Sequence, residues 1–282
     1  MAFLPLTALA DDPRLPLWEV RGARATVYLF GSIHVCRAGC YPLPNGVLQR
    51  FDAAREIAVE VDPTRGDLQE SIMRAALLPA GERLPDLLGK ADDEALQRAL
   101  RELNLPAQPL MGMRPWMVGT LIGITAAQRA GLRADQGVDL WLLSRARTQG
   151  KTVNELETVQ RQIEALQGAS LDEQVEGLRQ TLSLLRDHRL DSYFDDLVRA
   201  WQRGDGERLD ALIREGGGND DRWRAELLDR RNAEMADKIA GWIDNGRAPF
   251  VIVGVGHLAG QGSVVDRLGQ RGFTVRQLAI GD

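Results

Sequence analysis

The sequence predicts an α/β fold: a mixed, largely parallel central sheet formed from both chain ends, with a large helical insertion between them. Three observations predict it. Strand-like runs at residues 26–30, 56–61 and 249–253 are rich in Val, Ile and aromatics and are bounded by glycine or proline. Residues 47–55, between the first two runs, have helical spacing, and strand–helix–strand order marks parallel pairing. From about residue 68 to 245 the apolar period is mostly that of helices.

The elements follow in order. Strands at 17–20 and 26–30 flank Arg21-Gly22-Ala23-Arg24, a turn in which Gly22 supplies a flexible position. The helix 47–55 leads into the strand 56–61, which Pro63 stops. Within the insertion, Leu96, Leu100 and Leu103 share a helix face, as do Phe194, Leu197, Val198 and Trp201. Ser170-Leu171-Asp172-Glu173 is a capping-box pattern, followed by the stripe Leu171, Val175, Leu178, Leu182, Leu185. A short strand is expected at 152–156, and residues 215–220 read as a loop before the last long helix. That helix carries the stripe Leu228, Asn232, Met235, Ile239, Trp242, so the Asn232 amide falls on the buried face and needs hydrogen bonds. The chain closes with strand 249–253, a glycine-rich turn, helix 263–271 and strand 273–278.

Composition narrows the function. In 282 residues, 35 Lys and Arg face 40 Asp and Glu, a net charge of −5 with no basic block, which argues against nucleic-acid binding through phosphates. No run of about 18 strongly apolar residues occurs, so no transmembrane segment is expected. Residues 1–10 are apolar and end in Ala8-Leu9-Ala10, like the last part of a secretory signal, although no basic residue precedes them. The expectation is a residual signal segment at 1–10 and a single domain at 11–282, periplasmic or secreted, with the cytoplasm as the alternative. Cys36 and Cys40 stand alone, which favours a small disulfide over a zinc site.

The chemistry gathers at strand ends. His34 and His257 share the pattern Gly-x-x-His, in Gly31-Ser32-Ile33-His34 and Gly254-Val255-Gly256-His257, each directly after an apolar strand. Ligands of open α/β sheets bind beyond the carboxyl ends of strands. Alternation puts Ala58, Glu60 and Asp62 on one strand face, and a buried Glu60 needs a metal, an arginine or a histidine as partner. Glu157 follows the strand at 152–156 in the same way. Two His and one or two Glu suffice for a divalent metal such as zinc, manganese or cobalt with an open position. Arg114 opens an apolar helix at Arg114-Pro115-Trp116, and Arg231 adjoins Asn232; either guanidinium could stabilise an oxyanion. His188 sits in a charged stretch and reads as an exposed residue.

These residues resemble the TraB/PrgY/GumN family, which includes the animal TIKI proteases, over nearly the whole chain. The stretches that carry the resemblance are the two Gly-x-x-His turns, Val59-Glu60-Val61-Asp62, Arg114-Pro115-Trp116, Gly137-Val138-Asp139, Leu156-Glu157-Thr158 with Gln162, and Arg231-Asn232. Tyr41-Pro42-Leu43-Pro44 resembles the segment of GumN-type members. The resemblance implies a core like that of erythromycin-esterase-like and ChaN-like proteins. It also implies a metal-dependent peptidase acting on a peptide or exported protein, with His34, His257 and Glu60 at the centre. Glu60 is either ligand or general base, with Glu157 or Asp62 as the further ligand. Two alternatives stand beside it: a metal-independent His/Glu esterase-like hydrolase, and a non-catalytic binding or regulatory protein. Gly254-x-Gly256-x-x-x-Gly260 is a variant of a dinucleotide fingerprint, but His257 inside the turn suits a site residue better. No Gly-x-Ser-x-Gly elbow is present.

Overall fold

Strands β1 (Arg14–Arg21), β2 (Thr26–Ser32), β3 (Glu56–Val59), β4 (Thr152–Glu155), β5 (Phe250–Gly254) and β6 (Thr274–Ala279) form one sheet in the order β4-β3-β5-β2-β1-β6. The computed structural model describes residues 14–217 and 224–279; the expected signal segment at 1–10 lies outside them. Strands β4, β3, β5 and β2 are parallel, and β1 runs antiparallel between β2 and β6. The sheet is therefore mixed, largely parallel and built from both chain ends, as the strand–helix–strand order predicts.

Alternation along the strands separates two cores. Leu17, Phe30, Ile57, Val59, Phe250 and Ile252 face one side. Against them pack α1 (Asn45–Ala53) and the inserted helices α3 (Leu84–Leu103), α5 (Pro115–Arg129), α6 (Val138–Thr148), α8 (Leu171–Arg186) and α9 (Leu190–Gln202). On the other side Val27, Leu29, Ala58, Val251 and Val253 meet the last two helices, here α11 (Arg230–Asp244) and α12 (Val264–Gln270). The rest of the insertion is α2 (Gly66–Ala75), α4 (Ala107–Leu110), α7 (Val159–Gln167) and α10 (Gly206–Gly217).

Local chemistry starts the helices where the sequence signals them. Ser170 Oγ accepts from the Glu173 amide and Glu173 Oε2 accepts from the Ser170 amide, the reciprocal capping box at the head of α8. Pro115 occupies the first turn of α5, where its missing N–H costs nothing.

Several boundaries differ from expectation: β1 begins three residues before the strand expected at 17–20, and α1 covers Asn45–Ala53 rather than 47–55. The strand expected at 56–61 stops at Val59, because the Glu60 carbonyl accepts the amides of Leu156 and Glu157 and the chain then turns. Glu215 and Gly216, expected in a loop, close α10, while Gly218, Asn219 and Asp220 lie outside the described residues.

Candidate active site

Parallel register brings three strand ends to one place. Gly31 and Ser32 of β2 pair with Val253 and Gly254 of β5, and Val59 of β3 pairs with Ile252. His34, Glu60 and His257 follow these ends and converge on Gly254. A Cβ built on Gly254 would lie 3.3 Å from Glu60 Oε1, 3.6 Å from His34 Nε2 and 3.9 Å from His257 Cδ2. Glycine here lets three functional groups crowd one backbone atom. A cleft of about 230 Å³ opens over this point, with Ser32, His34, Glu60, Gln162 and Gly254 in its wall.

Each imidazole is held by one edge. His34 Nδ1 is 2.9 Å from Asp139 Oδ2, and the ring is 72% exposed, so Asp139 rather than burial governs it. That hydrogen bond and charge push the His34 pKa up to about 9. His257 is buried, and its Nδ1 lies 2.6 Å from Asn232 Oδ1. Asn232 Nδ2 donates to the Gly262 carbonyl at 3.0 Å, which fixes the amide orientation. Oδ1 therefore faces the ring, Nδ1 carries the proton, and Nε2 points toward Glu60 Oε2 at 3.6 Å. Asn232 does fall on the buried face of its helix, with both ends of its amide bonded.

Glu60 meets an arginine. Arg231 Nη2 donates to Glu60 Oε2 at 2.6 Å, and the Gly254 amide donates to Oε1 at 2.6 Å. Burial pushes the Glu60 carboxyl up, but His257 and Arg231 outweigh it and hold the group well below the usual carboxylate range. Arg231 also grips Glu157, through Nε at 2.9 Å and Nη2 at 2.6 Å, and Nη1 donates to the Leu227 carbonyl at 2.8 Å. Leu227 lies in a π-helical stretch, Ala225–Asp229, that runs into α11. Glu157 is thus committed at both oxygens to one guanidinium.

The remaining residues divide. Asp62 accepts from Thr64 and Arg147, away from the histidines. Arg114 caps α5, its amide donating to Ala76 O at 2.7 Å; of the expected site residues His34 and Glu60 line the cleft, whereas Arg114, Glu157, Arg231 and His257 are not in its wall. His188 is exposed, in a left-handed backbone conformation after α8.

Gly137-Val138-Asp139 is recognisable in the sequence, but nothing local to it shows that Asp139 reaches His34, 105 positions away. The residue that permits it is Gly137: a Cβ there would lie 2.6 Å from the His34 carbonyl, so only glycine allows the approach that delivers Asp139. The two segments are strapped together. Val138 N donates to Ile33 O at 2.9 Å, and Cys36 and Arg133 exchange backbone hydrogen bonds of 3.1 and 2.7 Å. The Cys36–Cys40 disulfide closes the same loop, and Tyr41 donates to the Gln136 carbonyl at 2.9 Å.

Fit to a divalent cation can be tested on the donors. Among the described residues, no three His, Cys, Asp or Glu side chains form a group that could hold a metal ion, and Arg231 holds both carboxylates. What the Gly254 site shares with metal-ligating histidines is two imidazoles with Nδ1 tied to oxygen, beside a carboxylate whose oxygens are engaged by Arg231 and the Gly254 amide. Glu157 does not fit that set.

The chain matches the model of the TraB/PrgY/gumN family across residues 16–277. YbaP of Escherichia coli, an uncharacterized protein, is 32% identical over 139 residues, 49% of this chain and 51% of YbaP. The metalloprotease TIKI2 of Xenopus tropicalis is 24% identical over 96% of this chain and 61% of its own length. An uncharacterized protein of Treponema pallidum is 23% identical over 94% of this chain and 83% of its own. The matches therefore span about half of YbaP and three-fifths of TIKI2. No solved structure matches. With the family model covering nearly every residue from β1 to β6, the chain belongs to the TraB/PrgY/gumN family.

Proposed function

We propose that this chain is a hydrolase that cuts a peptide bond at the Gly254 cleft, with a divalent cation held by His34 and His257 and Glu60 beside it. The observation that carries the reading is the pair of imidazoles, each tied at Nδ1 and each turning its other edge toward one glycine. Relatives named metalloprotease, aligned over more than nine-tenths of the chain, support it. A bound cation would supply an activated water and polarise the scissile carbonyl.

The chain's own residues do the rest. Asp139 and Asn232 fix the two rings. Glu60, ionised and 14% exposed at its side chain, is the group able to take a proton from an attacking water at Oε2. Arg231 keeps that carboxylate ionised and shares its charge with Glu157.

A second reading has its own observation. Arg231 already supplies the positive partner that a buried Glu60 needs, so Glu60 and His257 could hydrolyse without metal, as an esterase-like pair. The erythromycin-esterase- and ChaN-like core implied by the resemblance belongs with either reading, supported by the mixed sheet. The Cys36–Cys40 disulfide supports a periplasmic or secreted location.

A peptide-library cleavage screen, with chelator or with added zinc, manganese or cobalt, tests this. Cleavage that needs metal and disappears in both His34→Ala and His257→Ala is expected. Cleavage that survives chelation selects the metal-free reading, and no cleavage under any condition refutes hydrolysis of peptides.

A further inference from the structure

Beside the cleft lies a second cavity, of about 370 Å³, walled by α5, α7, α8 and α9. The two spaces share a partition. His34 lines the cleft and the next residue, Val35, lines the cavity; on α7, Gln162 faces the cleft while Ala165 and Leu166 face the cavity. The size is within the ~300–1,000 Å³ usual for ligand sites.

Two features show that the space is kept open. Gly123 of α5 and Gly177 of α8 stand in helix interiors on its wall. A Cβ at either would meet no heavy atom within 4 Å, and neither has a left-handed backbone. Neither close packing nor conformation calls for glycine there, and glycine inside a helix is less stable than alanine. What the missing side chains provide is room.

The polar atoms of the wall are unusual as well. Gln174 is 3% exposed; its Nε2 donates to Ala169 O at 2.8 Å, and its Oε1 has no hydrogen-bond partner among the described residues. Trp116 Nε1 is buried without an acceptor among the described residues. The Thr120 and Thr181 hydroxyls are spent on helix carbonyls, at Trp116 and Gly177. An orphan acceptor and an orphan donor in a mainly apolar wall are costly. Both atoms are sealed off, so the surface that the cavity offers an occupant is mainly apolar.

We propose that this cavity is a specificity subsite that takes a bulky apolar side chain from an extended peptide whose scissile bond lies in the adjoining cleft. The cavity's occupant is inferred from its wall; that the peptide is then cut rests on the hydrolase reading.

The test separates the two. In the His34→Ala/His257→Ala double variant, which would leave a peptide uncut, fluorescence anisotropy compares labelled peptides carrying Leu or Phe with matched peptides carrying Ser or Gly. The apolar peptides are expected to bind about tenfold tighter or more. Adding Gly177→Leu, or Gly123→Leu from the opposite wall should the first fail to fold, erases that preference. Gly241→Leu on α11, outside the cavity, leaves it intact. Equal binding of the two peptide sets, or a preference untouched by filling the cavity in a folded variant, overturns the subsite. Selective binding without cleavage by the unmodified chain keeps the subsite and removes the hydrolase; cleavage without selectivity does the reverse.

Discussion

Arg231 decides the electrostatics of the site. Two carboxylates, Glu60 and Glu157, lie beside it; without it Glu157 would lose its charged partner and Glu60 would keep only His257 and the Gly254 amide. Removing one partner from such a buried group costs about 3–5 kcal/mol. Arg231→Leu is therefore expected to lower the free energy of urea unfolding by about that amount; a loss below ~1 kcal/mol, the scale of a surface pair, would contradict the network. Asp139 acts differently, because His34 is exposed and little of the fold rests on it. Asp139→Ala should cut hydrolysis by about 10–100-fold while the thermal midpoint hardly moves, and an unchanged rate would remove Asp139 from the site. At this scale the sequence announced the need but not the answer. Strand alternation shows that Glu60 requires a partner, yet leaves a metal, an arginine and a histidine equally open. Only the seating of α11 on the Ala58 face brings Arg231, 171 positions away, to Glu60.

The two Gly-x-x-His turns work as elements rather than as isolated histidines. Gly31 ends β2 against the turn that carries His257: a Cβ on Gly31 would stand 2.8 Å from Val255 Cγ2 and 3.2 Å from Val255 Cα. The backbone there cannot yield cheaply, since Trp201 Nε1 donates to the Gly31 carbonyl at 2.7 Å. Gly31→Ala should destabilise by about 1–3 kcal/mol and displace His257; calorimetry paired with activity would show both losses, and a variant with normal stability would deny the contact. Gly177→Ala should go the other way, raising stability by about 0.5–1 kcal/mol as a helix-interior glycine is replaced in open space. Elements with local signals were legible: the strands from their β-branched runs, α8 from Ser170 and Glu173. The strand order and the π-helical stretch before Arg231 were not, because they depend on pairings between residues far apart in the chain.

Across the whole molecule, the parallel strands divide their labour between their ends. The carboxyl ends carry His34, Glu60 and His257, while the amino ends are tied by polar contacts. Arg247 donates to Glu56 Oε2 at 2.6 Å, and Asn154 donates to the same oxygen at 3.0 Å, joining β3, β4 and the approach to β5. The Arg247 hydrogen bond holds the Glu56 carboxyl below its usual value. Its stabilising effect is thus complete above the unfolded carboxyl pKa of about 4.3 and is lost as pH falls through the lower folded value. Glu56→Gln should flatten the acid side of the stability curve by less than about 1 kcal/mol, the pair being partly exposed; an identical slope in both proteins would deny the tie. The architecture itself was readable from the two chain ends, because each contributes a strand followed by a glycine turn.

The most direct test of the central claim is the metal content of protein purified without chelator, beside the His34→Ala/His257→Ala double variant. Near-stoichiometric divalent metal that is lost in a folded double variant is the predicted result. Equal metal in the two proteins, or none bound by the unmodified chain even after incubation with zinc, manganese or cobalt, would contradict the proposed cation site at Gly254.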